Sequence, residues 1–415
     1  MSPWALVYDE FDPKTESLRE ALCTLGNGYF ATRGAAPESE ADAIHYPGTY
    51  LAGGYNRLKT EIAGRVIENE DLVNMPNWLV TKFRPEGGDW FNLQSVDILF
   101  YRQELNLKNG LLSRTVKIRD RQNRKTFIIQ RRFVHMDHMH LAALETTIIP
   151  ENWAGRIQVL SSIDGSVINA GVERYKQLNS KHLEPVRSQE LDNETICLLV
   201  ETNQSRLRVA EAARTRIYYE ERAIEVERKL VEQQGYIGQE FFIEIKEKKP
   251  LKIEKIVSLF TSRDFAVCEP ALDAVEAVGH AGGFNELFQS HVLQWDHMWH
   301  RSDIRIEGND RDQMILRLHI FHLLQTISRN SIDLDVGVPA RGWHGEAYRG
   351  HVFWDELFIF PYLNLRIPYL TRSLILYRYR RLNRARLAAR TQECSGALIH
   401  GRAEATGAKK PNVST

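Results

Sequence analysis

Gly342-Trp343-His344-Gly345-Glu346-Ala347-Tyr348-Arg349-Gly350-His351-Val352-Phe353-Trp354-Asp355-Glu356-Leu357 is the stretch from which the rest of the chain can be read. Its sixteen residues hold carboxylates, imidazoles, aromatic faces and three glycines. Glycine lets a backbone turn sharply or approach a ligand closely. The apolar run Leu357-Phe358-Ile359-Phe360 follows at once. A polar, glycine-punctuated loop therefore feeds a helix, and such loops often carry function.

Within the loop, Trp354-Asp355 is the pair with the clearest chemistry. A sugar ring has an apolar C–H face and a rim of hydroxyls. An indole can cover the face, and a carboxylate can accept from two adjacent hydroxyls. The dipeptide also admits a purely structural reading. Trp354 can be core, and Asp355 can cap the helix that follows, since Asp before an apolar run is a common start signal.

The longer string is more specific. Gly342, His344, Gly345, Glu346, Tyr348, Gly350, His351, Phe353, Trp354 and Asp355 match a G-x-H/T-G-E-x-Y-x-G-H-x-F-W-D segment. In this the chain resembles glycoside hydrolase family 65, the maltose, trehalose and kojibiose phosphorylases and their hydrolase relatives. The resemblance implies that Trp354 and Asp355 grip the glucosyl unit whose bond is broken. It places His344, Glu346 and Arg349 in the same loop as lesser substrate-site candidates. Many relatives read W-D-T-E where this chain reads Trp354-Asp355-Glu356-Leu357, a departure that marks a subgroup.

Composition agrees with a large folded protein. The chain has 415 residues, 43% apolar and 26% charged, more than one ordinary domain. Lys+Arg and Asp+Glu balance at 54 each, which removes a general electrostatic case for nucleic acid or an anionic membrane. Cys23, Cys197, Cys268 and Cys394 lie far apart and read as free thiols of a cytoplasmic protein. The start lacks a basic segment followed by an apolar one, and no apolar run reaches the ~20 residues of a membrane span.

Residues 1–262 read as an antiparallel β-sandwich. Segments such as Phe127-Ile128-Ile129-Gln130-Arg131-Arg132-Phe133-Val134 and Leu141 to Ile149 have strand length and β-branched content. Residues 214–228 are ambiguous, because alternation changes register midway and the charges also suit a helix. Leu25-Gly26-Asn27-Gly28-Tyr29, Tyr46-Pro47-Gly48-Thr49-Tyr50 and Glu70 to Trp78 resemble hallmarks of the family's N-terminal sandwich. His135, His138 and His140 raise a metal hypothesis. No carboxylate-rich or cysteine partner motif lies nearby, so they read as loop histidines, and no metal or other cofactor is expected.

Helices take over near residue 269. Residues 263–305 read as linker helices, with Leu287, His291, Trp295 and Trp299 on one buried face. Residues 306–398 read as the first helices of an incomplete (α/α)6 barrel, by the resemblance. A helix buried nearly all round covers Met314 to Leu324, a second runs from Glu356 to Leu365, and a third from Thr371 to about Ala389. Seven arginines between Arg372 and Arg390 surround a Leu374-Leu376-Tyr377 face and read as a solvated or packing surface.

The last residues, 399–415, have no helical period and read as a disordered tail. Relatives continue here as Y-P-W-Q-S-G-S-D-G-R-E-E-T-Q. Codons for that string, read from the second base, can give Ile399 through Asn412 in order, so a frame-shifted end is expected. The resemblance implies inversion at an α-glucosyl disaccharide such as trehalose, maltose or kojibiose, with inorganic phosphate as co-substrate or water in the hydrolases. It places the general acid beyond residue 415, so no catalytic residue is assigned. The chain is expected to be an inactive fragment, and the alternative is a non-catalytic carbohydrate-binding or assembly remnant. An unfinished barrel should also leave the Met314–Leu324 and Leu374–Tyr377 faces uncovered. Family members often form homodimers, which nothing in this sequence decides.

Overall fold

The computed structural model describes residues 2–398 and the pair Arg402–Ala403. The first 261 residues are dominated by antiparallel strands. One ten-stranded sheet runs in the order Ala5–Tyr8, Asp97–Asn106, Leu111–Arg119, Lys125–Val134, Leu141–Pro150, Leu251–Thr261, Arg208–Tyr219, Thr195–Thr202 and Leu183–Glu190, with Arg222–Ile224 as a side branch. A four-stranded sheet orders Arg228–Gln233, Tyr236–Ile245, Gly155–Asp164 and Thr81–Pro85. Alternation explains the layers. In Leu111–Arg119, Leu112, Arg114, Val116 and Ile118 are buried and the residues between them are not. Residues 214–228, ambiguous in sequence, form the end of one long strand, the short return Arg222–Ile224 and a connection to the next strand.

Two smaller pieces matter most for the site. Leu25–Gly26, Phe30–Thr32 and Thr49–Leu51 make a three-stranded sheet, and Tyr55–Ile62 pairs with Arg65–Leu72 as a hairpin. Buried polar groups lock the chain that joins them to the large sheet. Arg114 pairs with Glu38 and donates to Gln130 at 2.9 Å, and Arg132 donates to the Ala35 carbonyl at 2.5 Å. Asn27 Nδ2 donates to the carbonyls of His135 and Met139, both at 2.8 Å. The three histidines follow from this geometry. They lie in the connection between Lys125–Val134 and Leu141–Pro150, where His135 Nδ1 accepts from the Asp137 and His138 amides and His140 Nδ1–H donates to Leu259 O.

Seven helices are described: α1 Glu16–Leu22, α2 Pro270–His280, α3 Phe284–Ser302, α4 Asp310–Thr326, α5 Glu356–Arg366, α6 Pro368–Arg380 and α7 Leu382–Thr391. None of them is long and apolar enough to cross a membrane. α2 starts on Pro270, where the missing N–H costs nothing. α3 presents Leu287, His291, Trp295 and Trp299 inward, with Trp299 Nε1 donating to Leu107 O at 2.9 Å.

Two expectations need correction. The helix expected from Thr371 to Ala389 is two helices, broken at Arg381, whose amide turns back to Arg378 O. No Gly or Pro marks that break, so the local sequence hides it. The Met314–Leu324 and Leu374–Tyr377 faces are covered. Leu318, Phe321, Leu324, Leu374 and Tyr377 are all buried, because α4 and α6 pack onto the sandwich and onto the loop before α5. Apolar exposure falls instead on the opposite sides of α5, α6 and α7, at Phe358, Leu365, Tyr379 and Leu387. The tail read as disordered and frame-shifted lies outside the described residues, except that Arg402–Ala403 pair antiparallel with Val352–Phe353.

Gly350 sets a tight constraint on how the helical part meets the sandwich. It has φ +65°, and an added Cβ would collide with Leu72 Cβ. Gly64, in the turn of the Tyr55–Leu72 hairpin, has φ +75° and open space around it. Gly64→Ala should therefore cost about 1 kcal/mol of strain alone, whereas Gly350→Ala should cost about 3 kcal/mol or more. Thermal or urea melts of both variants check this; equal losses would show that the approach at Leu72 is not tight.

Candidate functional site

The conspicuous loop is held mainly by the sandwich. Arg33 donates through Nε to Tyr46 O at 2.8 Å and through Nη1 to His344 O, so one guanidinium ties both segments. His344 Nδ1–H donates to Ala21 O at 3.2 Å, and its ring lies 4.4 Å from that of His322, which donates from Nε2 to Leu22 O at 3.0 Å. Both acceptors are the last two carbonyls of α1, beyond the reach of the helix's own i+4 amides, although Ala21 O also takes the Thr24 amide at 3.3 Å. Burial holds both imidazoles below their ordinary value, His322 at about 4 and His344 well below the usual imidazole range, so each is neutral.

Glu346 is the centre of the docking. It is 4% exposed. Its Oε1 meets the Tyr46 hydroxyl and the Tyr50 hydroxyl, the latter at 3.2 Å, and its Oε2 accepts from Gly171 N at 2.9 Å. Tyr46 has one hydroxyl proton and two facing acceptors, Glu346 Oε1 and Ile168 O at 2.9 Å. A protonated Glu346 resolves that conflict, donating to Tyr46 while Tyr46 donates to Ile168. Burial pushes the Glu346 carboxyl from 4.5 up to about 7, with the tyrosines, Gly171 N–H and Arg33 opposing only in part.

Further along, Tyr348 and Arg349 sit at φ 54° and 59°, conformations that cost free energy for residues with a side chain. Their surroundings impose them. Arg349 Nη1 binds Asp71 Oδ1 at 2.6 Å and its guanidinium lies 4.3 Å from the Tyr175 ring centre. Tyr55 donates to Gly350 O at 2.5 Å, and His351 Nε2–H donates to Glu70 O at 2.7 Å. Of the residues singled out in sequence, His344, Glu346 and Arg349 thus face the sandwich. His344 and Glu346 also line a groove of about 1300 Å³ between the sandwich loops and residues 341–347.

Trp354 and Asp355 are placed differently. Beyond His351, which bonds Glu70 O, Val352–Phe353 pair with Arg402–Ala403, and the Trp354-Asp355 pair opens α5 on the surface. Trp354 is 55% exposed, with its ring edge-on to Phe358 at 5.3 Å. Asp355 occupies the cap position but makes no capping bond, and its carboxylate has no partner among the described residues. Neither structural alternative is realised: the indole is not core and the carboxylate is not a cap. Neither residue lines any of the described cavities. The next carboxylate, Glu356, is buried, accepting from Val338 N at 2.9 Å and from Arg378 at 3.0 and 3.1 Å. Its burial raises its pKa against the pull of Arg378.

Sequence reading missed Tyr46, Tyr50, Asp71 and Gly171 as partners of this loop. The first three lie in or beside the sandwich segments that already stood out for their glycines and aromatics. Nothing in the sequence pairs them with residues some 300 positions away.

Comparison with known proteins places the chain firmly. Residues 6–298 match the domain described as Glycosyl hydrolase family 65, N-terminal domain, and residues 317–413 match the Glycosyl hydrolase family 65 central catalytic domain. An uncharacterized glycosyl hydrolase of Mycobacterium tuberculosis is 44% identical over 95% of this chain, which spans 30% of that protein. Kojibiose phosphorylase of Halothermothrix orenii is 31% identical over 97% of this chain and 50% of its own length. Trehalose 6-phosphate phosphorylase of Lactococcus lactis is 29% identical over 95% and 50% respectively. A solved structure described as a kojibiose phosphorylase from the human microbiome shares the fold, with a TM-score of 0.85 at 22% identity over 98% of this chain and 52% of that one. The chain therefore spans half or less of the curated relatives named here.

The state of Glu346 gives a pH test. The folded chain holds this proton more tightly than the unfolded chain. Its contribution to stability is thus intact below about 4.5 and is lost as pH climbs to about 7. The full rise corresponds to about 3 kcal/mol. Relative to Glu346→Gln, the native chain should lose stability between pH 5 and 8, read as the difference between the two melting temperatures. A difference independent of pH would show that Glu346 is already ionised at pH 5.

Proposed function

This chain belongs to glycosyl hydrolase family 65, and from that premise we propose that it carries the glucosyl-holding part of an enzyme for inverting phosphorolysis, or hydrolysis, of an α-glucosyl disaccharide such as trehalose, maltose or kojibiose. The observation that carries the reading is the open pair Trp354 and Asp355 at the start of α5. The indole is half exposed and the carboxylate is unpartnered among the described residues, although neither packing nor capping requires them there. An aromatic face beside a free carboxylate suits a ring with one apolar face and adjacent hydroxyls. The names of the phosphorylase relatives support the same substrate class and inorganic phosphate as co-substrate.

Inversion asks for a carboxylic acid at the glycosidic oxygen while phosphate, or water assisted by a base, attacks the opposite face of the sugar. The two carboxyls nearest in sequence to the pair do not fill that role. Glu346 is enclosed by Tyr46, Tyr50 and Gly171, and Glu356 is committed to Arg378 and Val338. We infer that the 415 residues alone hold a glucosyl unit without cleaving it. That favours a second reading, a non-catalytic carbohydrate-binding piece, for the chain taken by itself. His344, Glu346 and Arg349 then serve by fixing the loop that presents Trp354 and Asp355.

Calorimetric titration of the purified chain with trehalose, maltose and kojibiose tests the pair. Trp354→Ala and Asp355→Asn should each weaken binding at least about tenfold, or ~1.4 kcal/mol. Unchanged affinity in both variants would remove the pair from the site. With phosphate added, no glucose 1-phosphate should appear; its release would overturn the non-catalytic reading.

A further inference from the structure

A cavity of about 400 Å³ lies where the sandwich meets the helical part, within the range of small-molecule sites. Three segments contribute most of its lining: the end of the Thr49–Leu51 strand and the turn after it, residues 261–265 at and beyond the end of the last sandwich strand, and the loop 333–337. Gly53, at φ +68°, lets the first approach the third; a Cβ there would meet Val336 Cγ1 at 3.1 Å. Aromatic side chains Tyr29, Tyr55, Trp343 and Tyr377 line the wall.

Trp343 is the telling residue. It is 2% exposed, lines the cavity, and its indole N–H finds no acceptor among the described residues. Buried Trp78, Trp153 and Trp299 donate to Thr32 Oγ1, Thr126 Oγ1 and Leu107 O. Trp295 also lacks an acceptor but lines none of the described cavities. Unlike Trp295 Nε1, the Trp343 N–H is not sealed off; it opens onto the cavity, where water or a ligand that enters can accept from it. The rim adds both kinds of polar group. Among the described residues, Asp333 makes no side-chain bond and the Arg263 guanidinium bonds to Gly53 O at 2.6 Å. Carboxylates on the lining, Asp264, Asp333 and Asp335, outnumber the guanidiniums of Arg263 and Arg381, which disfavours an anion.

We propose that this junction cavity is a second carbohydrate site, separate from Trp354 and Asp355, that takes one neutral sugar unit with the Trp343 N–H donating to a ring or hydroxyl oxygen. Aromatic walls cover the apolar sugar face, while Asp333 and Arg263 supply an acceptor and donors at the mouth. The site stands on its own contacts and does not depend on the reading of Trp354.

Indole ¹⁵N–¹H spectra of the full chain test it directly. The chain has eight tryptophans. Trp343→Phe identifies the Trp343 signal, and Trp354→Ala identifies that of Trp354. Titration with glucose, maltose or trehalose should move the Trp343 signal in a saturable way, in the native chain and in Trp354→Ala alike. Val336→Phe, which fills the cavity, should abolish that movement while leaving the Trp354 response; it also serves if Trp343→Phe fails to fold. A Trp343 signal unmoved by all three sugars overturns the proposal. So does movement that disappears in Trp354→Ala, because the two sites are then one. Movement by inorganic phosphate equal to that by sugar overturns the choice of a neutral ligand. The Trp354 signal reports separately on the proposed glucosyl pair, so failure of one reading is distinguishable from failure of the other.

Discussion

The structure depends on one buried carboxyl. Glu346 reaches from the loop before α5 into the sandwich and meets two tyrosine hydroxyls and a backbone N–H. Its neighbours extend the contact in both directions, His344 to the end of α1 and Arg349, Gly350 and His351 to the Tyr55–Leu72 hairpin. A polar interface of this kind is stable only while every member finds its partner. It is also directional, so it fixes the position of the loop more narrowly than apolar packing would. The strained backbone at Tyr348 and Arg349 is what that fixing costs.

Everything displayed beyond the loop inherits its placement. Val352 is buried against Tyr377 of α6, and the chain then turns Trp354 and Asp355 outward. The same turn sends Glu356 inward to Arg378, which joins α5 to α6. Adjacent carboxylates are therefore placed differently: Glu356 is held by Arg378 and Val338 N, and Asp355 has no partner among the described residues. The exposed indole continues into Leu357 and Phe358, so Trp354 is part of a wider apolar surface on α5. In this arrangement the sandwich is the mould that shapes the loop.

Much of the fold was legible because it follows simple periods. Alternation in Leu111–Arg119 and Lys125–Val134 named the sheet, and the four-residue spacing from Leu287 to Trp299 named the inward face of α3. The string from Gly342 to Asp355 named the family. What stayed hidden depended on distant contacts. The break at Arg381 has no turn residue to announce it. The Met314–Leu324 face reads as orphaned until the strands that cover it are seen. The resemblance placed His344, Glu346 and Arg349 in the substrate loop, but the contacts that hold them could not be read from the sequence. Their partners Ala21, Tyr46, Tyr50 and Asp71 lie roughly 300 positions earlier, a distance no local pattern spans.

Hydrogen exchange of the backbone amides of residues 346–351, compared between the native chain and a Tyr46→Phe, Tyr50→Phe double variant, addresses the docking most directly. In the native chain the hydrogen-bonded amides of Arg349 and His351 should be protected to a similar degree as the sandwich strands, and the double variant should release them while the strands stay protected. Fast exchange of the loop in the native chain, or unchanged protection in the variant, would contradict the account.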